Sequence, residues 1–138
     1  MKKIIALLTV FSSIFFSAGA TAQNQPLACQ TDTTAGLSWE NRQWRVSSFV
    51  AEKFILVKTS NGLTNESVAK AIHTIANMVH CRDLPNERIG CIDEFGGALF
   101  FSTVTLKGGV SQLNGAAHSD DRSNKDKVTV AAFSCTPF

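Results

Sequence analysis

Four cysteines constrain this chain more than any other feature of its sequence. They are Cys29, Cys81, Cys91 and Cys135. An even number of cysteines in a small exported chain predicts two disulfides formed in an oxidising compartment. No two of them have the C-x2-C spacing of most zinc sites, so disulfides are favoured over a metal. Three pairings are possible. We favour Cys29 with Cys135, which ties the ends together, and Cys81 with Cys91, which closes a short loop.

The first 22 residues have the organisation of a secretory signal peptide. Its parts are a basic start, an apolar stretch and a small-residue cleavage site: Lys2-Lys3, residues 4–16 and Ala20-Thr21-Ala22. We therefore expect cleavage before Gln23, a single domain over residues 23–138, and a periplasmic or secreted location. The apolar stretch is shorter than the ~20 residues of a transmembrane helix. No second stretch follows, so we expect no membrane contact after cleavage.

The charge balance argues against two classes of partner. The chain has 13 Lys and Arg residues against 11 Asp and Glu residues. Removal of Lys2 and Lys3 with the signal peptide leaves as many basic as acidic residues. No basic cluster interleaved with aromatic residues remains, and such clusters mark surfaces that bind nucleic acid or anionic membranes. The sequence therefore predicts no nucleic-acid partner.

The hydrophobic pattern predicts an α+β fold, with one long helix packed on an antiparallel sheet of about five or six strands. The helix is expected over residues 65–80, after an N-cap at Thr64 or Asn65. Its apolar positions recur at spacings of three and four: Val68, Ala71, Ile72, Ile75, Met78 and Val79. The sheet is expected to combine an N-terminal hairpin with a meander that runs from Cys91 to Cys135 and organises the fold.

No set of residues predicts a catalytic, cofactor or metal site. His73 and His80 stand seven apart, so on one helix they would lie ~10 Å apart along the axis, too far to share a metal ion directly. His118, Asp120 and Asp121 lie in a polar loop over residues 117–127, without the separated, rigid elements of a catalytic triad. A hydrolase would need such residues to converge from separate elements.

An acidic pair and a tryptophan pair are the further candidates for a binding site. Asp93 and Glu94 precede a glycine-rich bend, and neighbours on an extended chain point apart, so exposed turn acids are favoured over a carboxylate pair. Trp39 and Trp44 are expected in the core, with an open aromatic binding face as the alternative. The candidate residues for partner binding are Trp39, Trp44, Asp93, Glu94, His118, Asp120 and Asp121.

Scattered positions resemble a set of small exported bacterial four-cysteine proteins of unknown function. Those proteins carry an early cysteine, two spaced tryptophans, a cysteine pair around a C-x3-F-G element and a terminal C-x-P-F. The matching positions are Cys29, Trp39, Trp44, Phe49, Phe54-Ile55-Leu56, Cys81, Cys91 to Gly96 and Cys135-Thr136-Pro137-Phe138. The resemblance implies export and a disulfide-stapled fold. It implies no activity and no site residues.

Three functional classes are compatible with these observations. The leading hypothesis is a non-enzymatic binding module of the bacterial envelope, of the inhibitor or immunity type, acting on another exported protein. Small size, neutral charge, disulfides and polar loops on a sheet support it. The alternatives are a structural or accessory envelope protein without a specific ligand, and a small hydrolase. The sequence does not indicate the oligomeric state.

Overall fold

The first and last strands of the domain lie side by side at the centre of one antiparallel sheet. The structure, a computed structural model, describes residues 24–113 and 127–138. The strands are Gln25–Glu40 (β1), Gln43–Ser48 (β2), Lys53–Thr59 (β3), Gly62–Leu63 (β4), His80–Leu84 (β5), Arg88–Ile92 (β6), Gly97–Ser102 (β7), Lys107–Gln112 (β8) and Lys127–Pro137 (β9). One helix, Asn65–Ala71 (α1), and one 3₁₀ turn, Ala76–Met78, connect β4 to β5. The predicted signal peptide lies outside the described residues.

The strand order wraps the sheet into a nearly closed, barrel-like layer. Neighbours follow the order β4-β3-β1-β9-β8-β7-β6-β5, and β2 pairs separately with the second half of β1. The two ends of this order come together, because β4 contacts β5. Near this seam, Asn65 Nδ2 donates a hydrogen bond to Val79 O at 3.1 Å. This bond links the start of α1 to the residue that precedes β5.

The predicted α+β fold, with one long helix on five or six strands, is wrong. The described residues form a mostly β structure of nine strands, and its helix has only seven residues. Two segments account for the difference. The helix predicted to reach residue 80 gives way to β5 over residues 80–84, and strand β1 already begins at Gln25.

Helix α1 begins where the sequence predicts and ends two turns early. The chain leaves the helix at His73, which has a left-handed φ of 54°. Thr74 N then donates to Ala69 O at 2.9 Å, which closes the last turn as in a Schellman cap. Ile75 is already extended. Because Ile72, Thr74 and Ile75 are β-branched, this stretch also has little intrinsic preference for continuing the helix.

The left-handed residue gives a test of where the helix ends. We expect His73→Gly to be more stable than His73→Ala by about 1 kcal/mol, because glycine adopts a positive φ without steric cost. Both variants lose the imidazole, so its contact with Glu52 cancels in the comparison. Chemical denaturation of the two variants measures the difference. A long helix through His73 predicts the opposite sign, with alanine more stable by a similar amount.

A bulge divides β1 and changes which residues face the core. The register between β1 and β9 shifts between Thr31 and Thr33. Before the shift, Leu27, Cys29 and Thr31 are buried, and after it the next buried residue is Ser38. A bulge adds one residue to a strand, so the alternation of side chains changes phase there and the strand bends. This bend lets β1 pair with β3 along its first half and with β2 along its second.

The core fills the inside of this sheet, and two disulfides link neighbouring strands of its wall. Phe133 packs against Phe54 and Phe101, with ring centroids 5.2 and 6.2 Å apart. Other fully buried side chains come from opposite walls and from α1: Leu27, Leu56, Leu99 and Val68. The prediction of two disulfides is confirmed, and the pairs are Cys29–Cys135 and Cys81–Cys91, the pairing favoured above. Each joins directly opposite residues of neighbouring strands, β1 with β9 and β5 with β6.

A helix that spans a membrane must be long and hydrophobic. None of the helical segments within residues 24–113 and 127–138 meets that requirement. The seven-residue helix α1 is far shorter than the roughly 20 residues needed to span the hydrocarbon core.

Candidate protein-binding face

Side chains that point away from the core on six neighbouring strands form a surface without charge. The strands are β2, β1, β9, β8, β7 and β6, and their register places the side chains on three levels. The first level holds Val46, Leu37 and Val128. The second holds Ala35, Val130, Ser111, Ala98 and Ile92. The third holds Thr33, Ala132, Gly109, Phe100 and Gly90. We call these residues the outer face.

The projecting members of the outer face are large, apolar and exposed. Val46 is 87% exposed, and Val130, Ile92 and Phe100 are 57%, 55% and 54% exposed. Between them lie small residues, mainly alanine and glycine, so the larger side chains project from the convex side of the sheet. An apolar surface of this kind on a folded domain is typical of an interaction site.

Strand β9 shows how the sequence produces this surface. Successive side chains of a strand point to opposite sides of the sheet. Ala131 and Phe133 point into the core and are buried, whereas Val130 and Ala132 point outward and are exposed. The strand is therefore apolar on both sides, although the described residues cover only one of them. The outward-pointing apolar residues of β9 do not contribute to the core, so their presence needs another explanation.

The two tryptophans lie at one end of the outer face. Trp39 and Trp44 are directly opposite each other at the end of the β1–β2 hairpin, on the same side as Leu37 and Val46. Their rings meet edge to face, with centroids 5.3 Å apart and an interplanar angle of 70°. Both are half-buried and lie outside the buried core cluster. The two rings therefore pack on each other outside the core cluster, and each keeps only part of its surface exposed.

The opposite end of the outer face carries its nearest basic groups. His80 and Arg82, on β5, continue the second and third levels. Beside them is a depression of about 210 Å³, lined by His80, Arg82, Gly90, Ile92 and Phe100 among others. Its floor is Gly90, where a Cβ would come within 3.0 Å of Leu84 Cδ1 and 3.3 Å of Phe100 Cε1. The depression can accept an apolar side chain, with Arg82 available for a carboxylate.

The two acidic candidates do not act together. Asp93 Oδ1 accepts hydrogen bonds from Phe95 N and Gly97 N, at 2.9 and 2.6 Å, and holds the turn between β6 and β7. Glu94 is exposed in the same turn. The carboxylate of Asp93 is thus occupied with backbone donors, as expected for an Asx turn. The remaining candidates, His118, Asp120 and Asp121, lie outside the described residues.

The described residues do not bring the other titratable candidates together. His73 Nε2 lies 3.1 Å from Glu52 Oε2, beside α1, whereas His80 lies on β5. Asp93 lies in the β6–β7 turn, apart from both histidines. Over residues 24–113 and 127–138, no group of three or more His, Cys, Asp and Glu residues is placed to hold a metal ion.

The sequence analysis missed the residues of β7, β8 and β9 that contribute to the outer face. The available signal was the run Val128 to Phe133, which is apolar at consecutive positions. Such a run normally indicates a strand covered on both sides. Here it belongs to a sheet that residues 24–113 and 127–138 cover on one side only.

Comparison of the chain with protein-family models, with curated proteins and with solved structures found no match. A proposal about function therefore depends on the surface chemistry described above.

Proposed function

We propose that this protein is a non-enzymatic binding module of the bacterial envelope that docks on another exported protein through its outer face. The observation that carries the proposal is the uncharged apolar surface of β2, β1, β9, β8, β7 and β6. The two disulfides agree with folding in an oxidising compartment, which a signal peptide would provide.

The size of the outer face suits a protein better than a small molecule. Six strands spaced about 4.8 Å apart span roughly 24 Å, and three levels span about 14 Å along the strands. The outside of a sheet that curves into a barrel-like layer is convex and cannot enclose a small ligand. It matches the apolar centre of a standard protein interface, which buries about 800 Å² on each partner.

The chemistry of the face specifies the kind of partner. Its centre offers methyl groups and the Phe100 ring on the convex side of the sheet, which favour a concave apolar surface on the other protein. Arg82 and His80 border one end only, so the partner should present a carboxylate there, next to an apolar side chain that enters the depression at Gly90. The Trp39–Trp44 pair at the other end resembles the aromatic anchors that dominate binding energy in many interfaces.

A charge placed at the centre of the outer face should abolish binding. We expect Val130→Glu to weaken binding of the partner about 100-fold or more, because the carboxylate would be buried without a counter-charge. The matched control is Val104→Glu. Val104 is also exposed, but it lies in the turn between β7 and β8, away from the face. Both variants should keep the thermal stability of the parent protein.

The experiment uses the disulfide-bonded protein as bait for exported proteins of the source bacterium. A captured protein is then purified, and its affinity for the parent and both variants is measured. Loss of binding in Val130→Glu alone supports the proposal. Equal binding by all three contradicts it, as does self-association that Val130→Glu abolishes, since the face would then be covered by a second copy. Failure of any exported protein to bind supports an accessory protein without a specific ligand.

A further inference from the structure

The inner side of the sheet contains a cavity that protein docking on the outer face does not use. The cavity measures about 250 Å³ and lies between inward-facing residues of β1, β8 and β9 and a cover formed by α1 and the β2–β3 connection. Pockets for drug-sized ligands occupy about 300–1,000 Å³, so this inner cavity suits a smaller molecule. We propose that it binds an uncharged polyhydroxyl ligand of monosaccharide size.

The lining of the inner cavity carries neutral hydrogen-bonding groups. They belong to Thr31, Thr34, Gln112 and Thr129. A threonine hydroxyl can donate and accept, and a glutamine amide offers both functions. Thr31 Oγ1 accepts a hydrogen bond from Glu52 N at 2.8 Å, so its hydrogen remains for a ligand oxygen. Thr34 Oγ1 is buried and has no hydrogen-bond partner among the residues that the structure describes.

Apolar groups are interspersed with these polar ones. Val110 and Ala131 are paired on the same face of β8 and β9 as Gln112 and Thr129. Phe49 adds an aromatic ring and lies against Gly36, where a Cβ would come within 2.9 Å of Phe49 Cε2. A pyranose ring has C–H groups on its faces and hydroxyl groups at its rim, so it matches a cavity in which hydroxyl and amide groups alternate with apolar side chains and an aromatic ring.

The charges around the inner cavity favour a neutral ligand. They are one carboxylate, Glu52, and one ammonium group, Lys127. Glu52 Oε2 already lies 3.1 Å from His73 Nε2, and Lys127 Nζ lies 5.6 Å from the centre of the Phe49 ring. Glu52 and Lys127 are opposite in charge, so an anion or a cation would meet one of them as a like charge.

The test is a titration of the full disulfide-bonded protein, followed by amide NMR. The probes are glucose, galactose, mannose and N-acetylglucosamine, with glycine and glutamate as charged comparators. At least one sugar should shift the resonances of residues around the cavity. Thr129→Val, which keeps the side-chain shape but removes the hydroxyl, should weaken that binding about tenfold, the effect of one lost hydrogen bond.

A second variant separates this site from the outer face. Val130→Glu should bind the sugar as the parent protein does, so its loss of protein docking and the loss of sugar binding in Thr129→Val are distinguishable. Absence of a shift with every sugar would overturn the proposal. So would unchanged affinity in a folded Thr129→Val variant, or preferential binding of glycine or glutamate.

Discussion

Replacing Cys29 and Cys135 with alanine is expected to lower the free energy of unfolding by about 5 kcal/mol, compared with about 3 kcal/mol for Cys81 and Cys91. The difference comes from the unfolded chain, since a disulfide removes more conformational freedom when it closes a longer loop. The sequence separations are 106 and 10 residues. Domains are generally stable by only about 5–15 kcal/mol, so the first double variant should retain little stability.

The second double variant is the matched control, because each one removes two sulfur atoms from neighbouring strands. Guanidinium unfolding under non-reducing conditions measures both, with linear extrapolation to zero denaturant. A loss for Cys81→Ala/Cys91→Ala that equals or exceeds the loss for Cys29→Ala/Cys135→Ala would contradict the loop-length explanation. It would instead assign the larger contribution to the hairpin of β5 and β6.

Gly108→Ala is expected to destabilise the protein by about 3 kcal/mol or more. Gly108 points inward on β8, and a Cβ there would overlap the carbonyl oxygen of Phe100 and the ring of Phe133. The carbonyl belongs to the adjacent strand and cannot rotate away. Overpacking against backbone in a dense core forces strands apart, which is among the most costly effects of a single methyl group.

Gly109→Ala is the control for this substitution, one residue along the same strand. Gly109 points to the outer face, and a Cβ there would find Ala131 O at 3.6 Å, an ordinary contact. We expect a change within about 1 kcal/mol, since alanine also restricts the unfolded chain. Thermal and denaturant unfolding of the two variants check the contrast. Similar stabilities would show that β8 does not pass as close to β7 as the structure places it.

The helix prediction is wrong beyond Ile72 because helical periodicity competes there with the pairing of strands. Apolar residues from Val68 to Val79 do recur at helical spacing. The segment that starts at His80, however, forms strand β5. There it completes the hairpin with β6 and supplies the edge that meets β4. Tertiary pairing of this kind overrides a local preference worth only tenths of a kcal/mol per residue.

One clue to that hairpin was present in the sequence. Cys81 and Cys91 are equally distant from Asn86, in the middle of a stretch with turn-forming residues. A disulfide between them is therefore symmetrical about a turn, which favours two antiparallel strands over a helix end. The structure has this arrangement, and Asn86 adopts a left-handed φ of 61°.

The outer face was harder to predict from sequence patterns than the β5–β6 hairpin. Its residues come from six strands, and their alignment depends on the register of every pair between them. The bulge in β1 alone changes which residues share a side, and neither tryptophan could be assigned to a face without it. Exposure also depends on which side of the sheet other elements cover, and α1 covers only the inner side.

The central pairing of β1 with β9 determines when this domain can complete its fold. Residues directly opposite each other in that pair are about a hundred positions apart in the chain. Contacts between such distant segments form slowly, because a large loop must close before any of them contributes. The hairpins from β5 to β8 can assemble early, with the Cys81–Cys91 bond among them. Strand β1 can pair early with β2 and β3, but its pairing with β9 must wait for the end of the chain. Cys29 therefore stays unpaired and open to wrong partners until Cys135 is available.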